Sequence, residues 1–240
     1  MRMTPVLLAA ALTLAAGVAQ AQAQAQAPAG GSKFLAPGDL DPALILPPPP
    51  RVGSPVELAE RAELHRLAAE RTPERLAQAK HDDEVEDVTA IADVLGPAFD
   101  LKQFPATAKL FADLRTEDGL AAKAAKAYFH RDRPFQTDRA LDVCDDAHDM
   151  ANSYPSGHAT MGSAAGVLLA NLMPGNAQVI LARVPDYLES RLYCGVHFRS
   201  DINAGQVLGT VLVLKLMEKP AFAAELEAAR AELTRAHIAP

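Results

Sequence analysis

Tryptophan is absent from the chain, and aromatic residues make up 5% of its 240 positions. A core built from this sequence must therefore be aliphatic rather than a stack of rings. Cysteine occurs twice, at Cys144 and Cys194, which excludes a Cys-x2-Cys pair and a disulfide-dense scaffold. There is no His-x3-His and no Walker-type glycine loop, so a metal centre or a nucleotide fold has no support, and no metal or cofactor is expected. Lys and Arg number 23 against 30 Asp and Glu, a net charge of −7. That balance argues against nucleic acid and anionic membrane as partners. Past the N-terminus, "AAGVLLANLM" and "VLGTVLVLKLM" have only core-helix length, and Lys215 interrupts the second. Alternating strand patterns with turn dipeptides are nearly absent.

What is present is a targeting signature followed by helix signals. Arg2 gives a basic start, "PVLLAAALTLAAGVA" an apolar run and "AQAQAQAQA" a series of small-x-small sites. Residues 1–25 read as a signal peptide cleaved between 21 and 27, so export to the periplasm is expected. Residues 26–53 are a Pro/Gly-rich arm without regular structure. Residues 54–240 then read as one all-α domain.

Ser54-Pro55-Val56-Glu57 is a cap-proline-glutamate signal for a helix of about 16 residues. Thr72-Pro73 repeats it and predicts a helix running toward Gly96-Pro97. "PATAKLFADLR" and "EDGLAAKAAKAYFHR" read as two helices. Four more follow: "ATMGSAAGVLLANLM", "NAQVILARVPDYLESRLY" with a break or kink at Pro185, "DINAGQVLGTVLVLKLM" and "PAFAAELEAARAELTRA". "GTVLVLKLM" would also suit a strand.

Three blocks carry chemistry. In "KAYFHRDRP", Lys126 and Arg133 stand seven apart, two helical turns, and Pro134 ends the helix. Two cations are thus expected at one helix end. In "NSYPSGHATMGSA", a helix beginning near Gly157 or His158 offers free backbone N–H groups to an anion. Ser156 adds a hydroxyl, Gly157 allows close approach, and His158 stands where a proton could be passed. In "SRLYCGVHFRSD", Asp201 follows His197 by four residues, one helical turn, and Arg191 precedes it by six. A carboxylate behind an imidazole fixes its tautomer and leaves the other nitrogen nucleophilic. Together Lys126, Arg133 and Arg191 supply three positive charges for a group that spreads negative charge over three oxygens.

Lys-x6-Arg-Pro, Pro-Ser-Gly-His and Ser-Arg-x5-His-x3-Asp resemble the type 2 phosphatidic acid phosphatase superfamily, which also holds vanadium haloperoxidases. The chain is most similar to the class A bacterial non-specific acid phosphatases. "LILPPPP", "SYPSGH", the cysteine pair and the "AELEAARAEL" ending extend the likeness over nearly all of residues 35–240. The resemblance implies a helical bundle, commonly a homo-oligomer, that hydrolyses small-molecule phosphate monoesters. It implies that His197 attacks phosphorus, Asp201 positions it and His158 protonates the leaving alcohol. Lys126, Arg133, Ser156, Gly157 and Arg191 would hold the phosphoryl oxygens, and phosphate or vanadate would inhibit. Asn152, Ala159 and Phe198 stand where that family often has Gly, Thr and Trp. A vanadate-dependent haloperoxidase and a non-catalytic phosphate binder are the alternative readings.

Other features are read plainly. Cys144 and Cys194 are a disulfide candidate after export, with two buried thiols as the other reading. His130 is assigned to packing or surface, and "HDDEVED" at 81–87 to a solvated acidic face. "DVCDDAHDM" at 142–150 lacks a recognised cation-loop pattern.

Overall fold

The computed structural model describes residues 31–144 and 152–238. The signal segment and most of the acidic stretch 142–150 lie outside the described residues. The described residues contain helices and no strand. In order they are α1 (Pro42–Ile45), α2 (Pro55–Glu70), α3 (Pro73–Glu84), α4 (Thr89–Ala92), α5 (Pro105–Phe129), α6 (Pro134–Thr137), α7 (Gly157–Leu172), α8 (Ala177–Tyr193), α9 (Arg199–Met217) and α10 (Pro220–Arg235). No single helix among them is long and apolar enough to cross a membrane.

The caps read from sequence form as expected. Ser54 Oγ accepts from Glu57 N at 3.3 Å and Thr72 Oγ1 from Arg75 N at 3.2 Å, each ahead of a proline in the first turn. Four boundaries differ from expectation. First, α3 stops at Glu84, well before Gly96. Asp82, Asp83, Glu84, Glu86 and Asp87 crowd negative charge at a helix C-terminus, where carbonyl dipoles are already negative. The chain turns at Val85, and Asp87 Oδ1 caps Thr89 N at 2.8 Å to open α4. Second, α5 is one helix of 25 residues, because the Leu-, Ala-, Lys- and Arg-rich turns at 106–115 and 120–126 outweigh the cost of one glycine at 119. Third, α5 ends at Phe129, not at Pro134; His130 adopts a left-handed conformation (φ 51°) and closes the helix. Arg133 thus stands outside the helix that carries Lys126. Fourth, α8 is not broken at Pro185 but continues through it to Tyr193. Pro185 and Leu181, whose carbonyl loses its donor, both face solvent, so water can satisfy the gap.

The arm is irregular apart from α1, yet it is fastened. Lys33 N and Phe34 N donate to Glu117 Oε1 at 2.7 and 3.2 Å, and Phe34 meets Phe222 edge-on at 5.2 Å. Further along, Pro47 O accepts from Tyr154 Oη at 2.6 Å.

α7 is apolar nearly all round and lies at the centre, against α5, α8 and α9. Glycine lets α9 approach it at backbone distance. A Cβ built on Gly209 would sit 2.2 Å from Thr160 O, and one on Gly205 2.7 Å from Ser156 O. The order of these contacts makes α7 and α9 parallel, so both helices begin at the same end of the bundle.

Cys144 and Cys194 are bonded. The bridge closes 50 residues and pins the segment after α6 to the end of α8. Replacing both cysteines by serine is expected to lower the unfolding free energy by about 4 kcal/mol in the chain-entropy account. Urea titration of the two proteins measures it.

Candidate active site

The parallel start of α7 and α9 decides where the three blocks meet. His197 precedes α9 and Asp201 lies in its first turn; both are buried. Ser156 caps α7, its Oγ accepting from Ala159 N at 3.3 Å, and its own N–H donates to Asp201 O at 3.1 Å. That bond ties the two helix starts together.

His197 is held on both sides of its ring. Arg133 Nη1 lies 3.2 Å from Nε2. A guanidinium can only donate, so Nε2 is the bare nitrogen and Nδ1 carries the proton. Nδ1 is 3.3 Å from Ser153 Oγ and 3.5 Å from Asp201 Oδ2. Ser153 Oγ in turn donates to Asp201 Oδ2 at 2.5 Å. Asp201 therefore reaches the imidazole partly through a hydroxyl. Burial, then Arg133, Arg191, Lys126 and His158, holds the His197 pKa well below the ordinary imidazole value.

Asp201 is itself anchored. Phe198 N donates to Oδ2 at 2.7 Å and Arg131 Nη1 to Oδ1 at 2.7 Å. Arg131 also donates to Ser200 Oγ at 2.6 Å and to Glu60 Oε2 at 3.0 Å, and stacks 4.0 Å over the Phe198 ring. Burial raises the Asp201 carboxyl above its usual range; Arg131 and Ser153 work against it.

The cations converge from three elements. Arg133 follows α5, donates to Val196 O at 3.0 Å and is held down to about 10 by burial. Arg191, on α8, is 1% exposed and held down to about 9 by burial. Both stay charged at neutral and acidic pH. Arg191 pairs through Nη1 with Asp83, while its buried Nε has no partner among the described residues. A buried, unpartnered guanidinium N–H is a donor awaiting an oxygen. Lys126 Nζ lies 3.8 Å from where a Cβ on Gly157 would stand, which places it at the start of α7. Burial and Arg133 lower its pKa.

His158, at the mouth of α7, faces two acceptors. Nε2 is 3.0 Å from Asp83 O and Nδ1 is 3.5 Å from Glu86 Oε1, while the ring stacks on Tyr187 at 6.2 Å between centroids. Burial lowers its pKa; Glu86 and Asp82 oppose, and Lys126 and Arg133 add to the lowering.

The structure thus brings Lys126, Arg133, Ser156, Gly157, His158, Arg191, His197 and Asp201 to one end of the bundle. His130 is an exposed helix cap. The 81–87 run is only in part a solvated face: His81 and Glu84 are exposed, but Asp82 and Asp83 turn inward. Asp82 is buried and accepts from Arg183 Nη2 at 2.6 Å and from Ser190; Asp83 pairs with Arg191; Glu86 stands at Gly157. Asp82 and Asp83 are drawn inward because Arg183 and Arg191 on α8 await them. Sequence reasoning also passed over Ser153, Arg131 and Glu60. Arg131 sits inside the first basic block, which was the available signal.

The arrangement combines three cations, the amides of a helix start, a bare imidazole nitrogen and a second imidazole. It suits a tetrahedral oxyanion. The PAP2 superfamily pattern matches residues 116–222. A non-specific acid phosphatase of Providencia stuartii is 31% identical over 204 residues, 82% of this chain and 82% of that one. An acid phosphatase of Zymomonas mobilis is 33% identical over 203 residues, 82% of this chain and 76% of that one. Among solved structures, a bacterial vanadium-dependent iodoperoxidase shares the fold, with a TM-score of 0.56 and 18% identity over 76% of this chain and 55% of its own. By its motifs, its fold and these relatives, the chain belongs to the PAP2 superfamily, in the family of the non-specific acid phosphatases.

Proposed function

We propose that this acid phosphatase hydrolyses phosphate monoesters without a metal, through a phosphohistidine on His197. The observation that carries the reading is the bare Nε2 of a buried histidine, set beside Arg133 and among the cations Arg191 and Lys126. In the first step Nε2 forms a bond to phosphorus while the ester P–O bond breaks. His158 gives its proton to the departing alkoxide. In the second step His158 takes a proton from water, water oxygen bonds phosphorus, and the N–P bond breaks to release phosphate. An alcohol in place of that water would receive the phosphoryl group. Lys126, Arg133, the free N–H groups of α7 and the Nε of Arg191 hold the three equatorial oxygens. Export to the periplasm and self-association belong to the same proposal.

The pH dependence follows from the two histidines. His197 must be neutral to attack, and its lowered pKa keeps it neutral well into acid. His158 must be protonated to donate, and its lowered pKa places the loss of that proton below about 6.5, the ordinary imidazole value. Activity is therefore expected to fall on the alkaline side from below neutrality, giving an acidic optimum. Hydrolysis of 4-nitrophenyl phosphate from about pH 4 to about pH 9, with EDTA present, is the test. A rate that climbs steadily through pH 9, or one that EDTA removes, contradicts the reading.

A further inference from the structure

A pocket of about 470 Å³ continues from the anion site along one face of α5. Lys126 and Gly157 belong to both. Arg115, Asp118, Lys123 and the small Gly119 and Ala122 line one wall, at helical spacings of three and four residues. Glu86 stands on the other.

Asp118 is the unexplained member. It is 4% exposed, and its buried Oδ1 has no hydrogen-bond partner among the described residues. Burying an unpartnered carboxyl costs stability, so nothing in packing accounts for it. Burial and the facing Glu86 raise its pKa well above the carboxylate range, against Lys126 and Arg115. A neutral carboxyl both donates and accepts a hydrogen bond.

The lining selects among leaving groups. Three cations on the α5 wall disfavour an amine. Lys126 is taken by the phosphoryl group, Arg115 stands 4.0 Å from Asp87, and Glu86 faces the remaining Lys123, so little positive charge is left to hold a second anionic group. Among the described residues no aromatic ring lines the pocket, so they offer a nucleobase or aryl group nothing to stack on. A hydroxyl-rich, uncharged alcohol matches both walls.

We propose that this pocket is a leaving-group subsite for sugar or polyol phosphates, and that Asp118 is its specificity-determining residue. The proposal rests on the phosphatase reading. Its test is the ratio of kcat/KM for hexose 6-phosphate to that for 4-nitrophenyl phosphate, in the wild type, Asp118→Leu and Asp118→Asn. Asp118→Leu is expected to lower the ratio about tenfold, the worth of one buried hydrogen bond. Asp118→Asn keeps a donor and an acceptor and is expected to stay within about threefold of the wild type. An unchanged ratio in Asp118→Leu overturns the proposal. A second measurement needs no variant: wild-type enzyme given 4-nitrophenyl phosphate should transfer phosphoryl to glucose in preference to phenol at equal concentration. Parity overturns the proposal as well. Absence of turnover on both esters by folded wild type would remove the phosphatase reading, and this one with it.

Discussion

His197→Ala is expected to abolish hydrolysis of 4-nitrophenyl phosphate, by more than about a thousandfold in kcat, while the helical circular dichroism is retained. Removing a nucleophile leaves only what positioning and charge stabilisation supply, and such losses run to several orders of magnitude. The substitution leaves the fold standing because His197 sits ahead of α9, where the helix start is tied by Ser156 N to Asp201 O and by Asp201 to Phe198 N. Rapid quenching gives an independent measure. Phosphohistidine is labile in acid and stable in base, so wild-type enzyme should retain label from a labelled ester only in an alkaline quench. Turnover by His197→Ala above about a tenth of the wild type would sink the covalent mechanism.

Arg131→Met is expected to cost both stability and activity. Arg131 joins two buried carboxylates, Glu60 and Asp201, and its side chain is 8% exposed. Removing the cation leaves both acids buried without their partner, a loss of about 3–5 kcal/mol. Asp201, already raised by burial, loses the guanidinium that opposes that rise and is driven toward its neutral form. The Ser153–Asp201 pair then no longer holds Nδ1–H, and kcat should fall about a hundredfold with a smaller change in KM. Arg131→Lys should recover little. One ammonium cannot reach Ser200, Asp201 and Glu60 at once as two guanidinium nitrogens do. Urea titration reads the first effect and steady-state kinetics the second. A variant as stable as the wild type would show that Glu60 and Asp201 find other partners.

Much of this site was legible because its determinants are local. A serine before a helix start, a histidine one turn before an aspartate, and a proline after an arginine each fix geometry within a few residues. The caps at Ser54 and Thr72 were readable for the same reason. What could not be read has partners far away in the chain. Arg131 finds Glu60 71 positions off, and Asp82 finds Arg183 101 positions off. Periodicity says nothing of such pairs, so an acidic run looked like a wet surface. The two helices expected over 105–129 were one, since propensity on either side of Gly119 outweighs the cost of a single glycine. That α8 is unbroken at Pro185 could not be read either, because exposure at Leu181 depends on which face of α8 is turned to solvent.

The backbone contact at Gly205 and Gly209 has a consequence for how this enzyme can diversify. The spacing between the start of α7, which carries His158, and the start of α9, which follows His197, is set where two main chains touch, and any added methyl group there strikes a carbonyl. α7 and α9 are thereby closed to gradual change. The walls of the adjoining pocket come from α5 and from the turn after α3, neither of which takes part in that contact. Substitutions there can redraw the range of accepted esters one residue at a time, while the distance between His158 and His197 is inherited unchanged.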